Sequence, residues 1–283
     1  MNNTHHAIAA ITTVRNDDLF LPKWIAHYGQ AFGYKNLFVI LDGHDQTKPD
    51  CLGADQVNFI CLPFQPLKRS AGDRRRARIM SQFARGLFWL YKTVLAMDVD
   101  EFLIVDPNTN TTLAEYLANR RQYDSLSALG LDVGQHQKLE STLNPQLPFL
   151  SQRQYAHLSS RYTKPIVTNK PLTWGSGMHR IKGRNYRIDP NLYLIHLGMV
   201  DIQRCMGDKS NQELVATGWS GHLDRRYEIF DIIANSTPKN WDEYIPTARR
   251  NQQFKRQLLA WNKPALLKNK PVVKLPERFQ NLL

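Results

Sequence analysis

The chain has 283 residues, of which 42% are hydrophobic and 22% charged, the composition of a soluble globular protein with a sizeable core. Lys and Arg number 37 against 25 Asp and Glu, giving a net charge of +12 that favours anionic partners such as nucleotides, acidic glycans, lipid head groups or nucleic acid. No run approaches the roughly 18 apolar residues of a membrane span. The N-terminus shows no secretory pattern, and Cys51, Cys61 and Cys205 are too scattered for a disulfide framework or a zinc site, so a reducing cytoplasm is the expected compartment.

Residues 7–14, AIAAITTV, read as a buried strand, short, apolar and rich in β-branched residues. A helix follows from Asp17–Asp18, with Leu21, Trp24, Ile25 and Tyr28 at helical spacing and Gly29 and Gly33 near its end. NLFVIL (36–41) and QVNFICLP are further strands, ended by Asp42-Gly43 and Pro63. Residues 73–91 predict a long helix, and TVLAMDVDEFLIV a fourth strand region. This alternation predicts an α/β domain with a largely parallel sheet. Beyond it, TTLAEYLANR (111–120) has helical spacing, YDSLSALGLDV suggests a strand, 141–191 is irregular, and LYLIHLGMV (192–200) is a short apolar run. Basic residues concentrate in two places. Residues 68–85 hold seven with one acid, and Arg249–Arg278 hold nine with one acid.

Within LAMDVDEFLIVDP an apolar run meets Asp98, Asp100 and Glu101. On an extended backbone Asp98 and Asp100 point to one side. At a strand end in an open α/β sheet, where ligands gather, such a pair attracts Mg²⁺ or Mn²⁺ through oxygen ligands. An acidic turn capping a strand is the alternative.

Three segments carry a family resemblance. They are ITTVRNDDLFLPKWIAHYGQAFGYKNLFVILDGHDQ, MDVDEFL, and SGMHRIKG followed by YLIHLG. On these the chain resembles GT-A-fold glycosyltransferases, in the family-2-like branch with an Asp-X-Asp-Glu-Phe motif. Asp17 stands where that family often has Glu, and His44 where it often has Ser. The resemblance implies a GT-A fold, Rossmann-like, with a mostly parallel central sheet and a less regular acceptor-binding part. Residues 1–110 would form the nucleotide-sugar-binding half, 111–234 the acceptor-binding and metal-completing half, and 235–283 a basic C-terminal extension.

The same resemblance implies roles. Thr13, Arg15 and Asp17 would line the nucleotide pocket, and Asp42 and Asp45 would bond the base or ribose. Asp98 would face ribose and metal, Asp100 would bind the metal, and His196 would be the third ligand. Read without the family, His196 is a core histidine on an apolar strand. Arg78 is a candidate donor contact, although a charge run is commonly a solvated face, and Lys209 a candidate diphosphate contact. Trp174, His179 and Arg180 offer an aromatic face and polar neighbours to an acceptor sugar, with a core role for Trp174 as the alternative.

An inverting enzyme also needs a base for the acceptor proton. Asp132 is the first choice, with Glu140 and Asp224 as rivals, and inversion and retention stay open. The expected partners are a nucleotide sugar, a UDP-sugar first, and a glycan or lipid-linked glycan of the cell surface. No nucleic acid is expected, since no zinc-finger, RNA-recognition or P-loop signature accompanies the charge. Trp261 and Leu258–Leu259, among basic residues, suit peripheral contact with the inner face of an anionic membrane or a soluble tail. A haloacid dehalogenase-like phosphatase also follows a strand with Asp-X-Asp, but Phe102 stands where that class has Thr or Val.

Overall fold

The computed structural model describes residues 6–183, 187–210, 216, 220–256, 260 and 262–283. The strands, in chain order, are β1 (His6–Val14), β2 (Leu37–Asp42), β3 (Asn58–Leu62), β4 (Tyr91–Ala96), β5 (Glu101–Val105), β6 (Ser125–Gly134), β7 (Tyr155–Leu158), β8 (Val167–Thr168), β9 (Ile188–Met199) and β10 (Val272–Lys274). The helices are α1 (Phe20–Phe32), α2 (Arg69–Leu87), α3 (Leu113–Ala118), α4 (Phe149–Gln152), α5 (Ile202–Ser210), α6 (Ser220–Asn235) and α7 (Trp241–Phe254).

The strands form one ten-stranded mixed sheet. β3, β2, β1 and β4 lie side by side and parallel. From β4 onward β8, β6, β7 and β10 pair antiparallel, while β9 runs parallel to β6 and antiparallel to β5. The parallel expectation therefore holds for one half of the sheet, and the other half is mostly antiparallel.

β1 is buried on both faces, and its alternation divides two cores. Ile8 and Ala10 join Leu21, Trp24, Ile25 and Tyr28 of α1. Ala9 and Ile11 join Ala77, Met80 and Ala84 of α2. The two helices therefore cover opposite faces, which is why these strands read as continuous apolar runs rather than alternating ones. Because β2 and β4 flank β1 on opposite sides, the winding reverses at β1, and a crevice opens beyond the carboxyl ends of β1 and β4.

TVLAMDVDEFLIV is two strands rather than one. β4 ends at Ala96 and pairs with β1, whereas β5 begins at Glu101 and pairs with β9. Between them Glu101 N–H donates to Asp98 O (3.1 Å), and the Glu101 carboxylate accepts from Asp98 N–H (3.1 Å). α1 anchors this turn, since the Tyr28 hydroxyl donates to Glu101 O (3.2 Å) and accepts from Leu103 N–H (2.6 Å).

Residues 235–283 are not an appendage. α7 buries Trp241, Ile245 and Ala248 in the main core. β10 extends the sheet at β7, and Arg278 makes a forked ion pair with Asp106 (3.0 and 3.2 Å). Leu258, Leu259 and Trp261 lie outside the described residues. Among the described residues no helix is long and apolar enough to cross a membrane.

Candidate functional site

The crevice beyond β1 and β4 is a cleft of about 440 Å³. Six arginines line it (Arg15, Arg69, Arg75, Arg76, Arg161 and Arg204) with five aspartates (Asp17, Asp42, Asp73, Asp98 and Asp100). Of the residues expected at a site, Thr13, Arg15, Asp17, Asp42, Asp98, Asp100, His179 and His196 do line this cleft.

Asp98, Asp100 and Glu101 bring one carboxylate oxygen each within 4.8 Å of one another, but their partners differ. Asp98 faces Arg76 Nη1 and Lys164 Nζ, each at 3.3 Å. Burial pushes Asp98 up, and Arg76 and Lys164 outweigh it, holding the carboxyl below its usual range. Glu101 is fully buried, with Lys164 Nζ 2.6 Å from its Oε1. Burial raises Glu101 to about 7 against the pull of that ammonium. Lys164 is itself fully buried, and its two carboxylate neighbours outweigh burial and keep it charged.

Asp100 turns the other way. Its Oδ2 lies 3.2 Å from His196 Nε2, and His196 Nδ1 lies 2.7 Å from Asp132 Oδ1. Tyr162 stacks on the imidazole, with centroids 3.7 Å apart. Burial opposes the imidazolium, but the two aspartates outweigh it and lift His196 to about 9.

Asp100 and His196 could hold a divalent cation in place of the proton that the imidazolium carries between them. Octahedral Mg²⁺ or Mn²⁺, with bonds near 2.1 Å, sets neighbouring ligands about 3 Å apart. Asp100 Oδ2 and His196 Nε2 already have that separation, at 3.2 Å. Asp132 on the other nitrogen stands where a carboxylate would orient the imidazole for a metal. Asp98, expected to face ribose and metal, has one oxygen against the half-buried Arg76 and the other against the buried Lys164.

Asp132 is buried behind His196 and does not line the cleft. That placement sets its carboxylate against the imidazole rather than toward the cleft. Neither rival lines it either, since Glu140 accepts from the backbone of His136 and Gln154 (both 2.7 Å) and Asp224 is exposed on α6. Trp174 belongs to the core beneath α2, its indole N–H donating to Pro165 O at 2.8 Å. Arg180 is exposed off the cleft. Asp45 is exposed and forks onto Arg15 (both contacts 3.0 Å), whose guanidinium covers the Phe64 ring at 3.8 Å. The side chain of Lys209 lies outside the described residues. His179 borders the cleft, its Nδ1 3.0 Å from Arg161 O, and burial lowers it to about 4 and keeps it neutral.

Arg78 is exposed on the outer face of α2, and Arg76 stands in the cleft instead. Arg69, Gly72, Asp73 and Arg76 fall at i, i+3, i+4 and i+7, one face of a helix. A helix start placed at Arg69 rather than Asp73 would have shown that stripe. Nothing in the spacing announces Lys164 or Tyr162. The loop that carries them docks on β6 through Gly130, whose N–H donates to Thr163 Oγ1 (2.8 Å) and whose O accepts from Ser159 N–H (2.9 Å). A Cβ at Gly130 would lie 2.3 Å from the Tyr162 carbonyl carbon and 2.4 Å from Thr163 N.

Asp17 accepts from Phe20 N–H (2.8 Å) at the start of α1 and pairs with Arg204 (3.4 Å). Burial nevertheless raises it from 3.8 to about 6, a rise worth about 3 kcal/mol. The folded-state value is the higher one. Asp17 therefore favours folding most fully below about pH 4, and that contribution is lost as pH rises through about 6. Asp17→Asn keeps the backbone acceptor and removes the charge. It should stabilise the protein by about 1–3 kcal/mol at neutral pH and by almost nothing near pH 4 in denaturant titrations. An equal gain at both pH values would refute this assignment.

No protein-family model matches the chain, and comparison with curated proteins finds no match.

Proposed function

We propose that the protein is a GT-A-type glycosyltransferase that moves a sugar from a nucleoside diphosphate sugar to a glycan or lipid-linked glycan. The observation that carries this reading is the Asp100–His196 pair opening onto an arginine-lined cleft at the reversal point of the parallel strands. An adjacent carboxylate and imidazole suit a divalent cation, and the guanidinium groups suit phosphate oxygens, which they bind in a forked geometry. Asp100 and His196 would hold Mn²⁺ or Mg²⁺, which when bound supplies positive charge against the diphosphate.

Around that centre the chain's own residues divide the work. Arg69, Arg75 and Arg76, near the start of α2, would bind the diphosphate oxygens. Thr13, Arg15 and Asp42, at the ends of β1 and β2, would meet the nucleoside, and a carboxylate there suits ribose hydroxyls or a base N–H. Lys164 and Arg76 hold Asp98 ionised and fixed beside the ligand pair. Arg161, Tyr162 and His179 form the wall left for the sugar and its acceptor.

A thermal-shift series with UDP-, GDP- and other nucleotide sugars, with and without Mn²⁺, tests the reading. One donor should stabilise the fold in Mn²⁺, by about 2.7 kcal/mol at a hundred times its dissociation constant. No stabilisation by any nucleotide sugar in either condition would refute it.

A further inference from the structure

Away from the cleft, α2 carries a second feature. Its solvent face runs through Arg74, Arg78, Gln82 and Arg85, all exposed, and ends at Trp89 and Leu90. These positions follow helical spacing, so they form one stripe along the helix. Trp89 is 87% exposed and Leu90 60%. Large apolar side chains so open to water, at the end of a basic stripe, are not explained by packing.

A shallow groove of about 730 Å³ adjoins the apolar end, lined by Arg85, Phe88, Trp89, Lys92 and Arg121 among others. The sequence has no acid between Asp73 and Asp98. Arg74, Arg78, Arg85 and Lys92 make no ion pair among the described residues, whereas the cleft-facing Arg75 and Arg76 of the same helix pair with Asp42, Asp73 and Asp98. The helix thus separates partnered arginines on one side from unpartnered ones on another.

We propose that this stripe is a docking surface for an anionic lipid bilayer. The cations would meet anionic head groups, each contributing attraction that decays within a Debye length. Trp89 and Leu90 would enter the head-group boundary, where an amphipathic indole is favoured. Charge alone would suit a nucleic acid equally. The exposed Trp–Leu pair favours the bilayer, because leucine has no stacking role on bases. α2 would lie along the surface, with its cleft-lining first turns next to the membrane. This inference does not require sugar transfer, and its test reads no activity.

The test is co-sedimentation of the full chain with vesicles of phosphatidylcholine alone and of phosphatidylcholine with about one third phosphatidylglycerol, at low and high salt. We expect binding to the anionic vesicles at low salt only. Trp89→Ala/Leu90→Ala and Arg85→Glu/Lys92→Glu should each weaken it by about tenfold or more. All four positions are exposed, and unchanged melting temperatures would show that the variants fold. Equal or negligible binding to both vesicles at low salt would overturn the proposal, as would variants that bind like the parent. Retention of single-stranded RNA with no vesicle binding would also overturn it and assign the stripe to nucleic acid.

Discussion

Lys164→Met should destabilise the protein by about 3–5 kcal/mol, because it strands a fully buried carboxylate. In the parent the ammonium sits 2.6 Å from Glu101 and 3.3 Å from Asp98, with no exposure to water. Asp98 keeps Arg76 in the variant, but Glu101 loses the ammonium in contact with it. For a chain of this size the loss corresponds to a fall in melting temperature on the order of 10 °C.

The deficit should depend on pH. Glu101 is already raised to about 7 with Lys164 in place, and without that ammonium the largest support of its charged form is lost and the value rises further. A raised folded-state value favours folding below the unfolded value and loses that benefit as pH rises through the folded one. The gap between variant and parent should therefore be widest above about pH 7 and narrow on acidification. Glu101→Gln in the Lys164→Met background should recover part of the loss, since it removes the buried charge. Thermal melts of all four proteins of this double-mutant cycle, from mildly acid to mildly alkaline pH, provide the check. A deficit independent of pH, or additive single effects, would show that the pair is not coupled as its geometry requires.

Asp100→Asn should abolish Mn²⁺ binding, and Asp132→Ala should weaken it by about 10–100-fold. Asp100 offers the oxygen beside His196 Nε2, so its loss would remove a ligand of the proposed centre. Asp132 touches only Nδ1, so its loss leaves the ligands present but the ring free to turn. This separates two roles for Asp132. An orienting carboxylate changes metal affinity, whereas a base for the acceptor proton changes turnover and leaves affinity intact. Free Mn²⁺ followed by electron paramagnetic resonance during titration would read the affinity directly, without a known acceptor. Parent-like Mn²⁺ binding by Asp100→Asn would make the acidic turn structural.

Much of the parallel half of the sheet was legible in the sequence, because strands buried on both faces appear as unbroken apolar runs. The same property concealed the turn at Asp98–Glu101. Apolar residues on both sides of the acids read as one strand, and the hydrogen bonds that close the turn have no periodicity. Asp98, Asp100 and His196 were visible through motif resemblance, and the structure brings them together. The partners that set their charge were not. Lys164 lies far along the chain in a segment rich in turn residues, where nothing marks a lysine as buried. Arg76 was hidden by a helix start placed one turn late, which put Arg78 forward in its stead. The C-terminal stretch looked like a tail because its few apolar anchors, Trp241, Ile245, Val273 and Phe279, are diluted among charges.

Gly130 contacts the cleft through nothing of its own. Yet the segment resting on it carries Arg161 on the wall, Tyr162 against the imidazole and Lys164 under the acids, so all three stand at a height set by a missing side chain. Two chains could share every ionisable group of the cleft and still differ in what it holds by one methyl group at position 130.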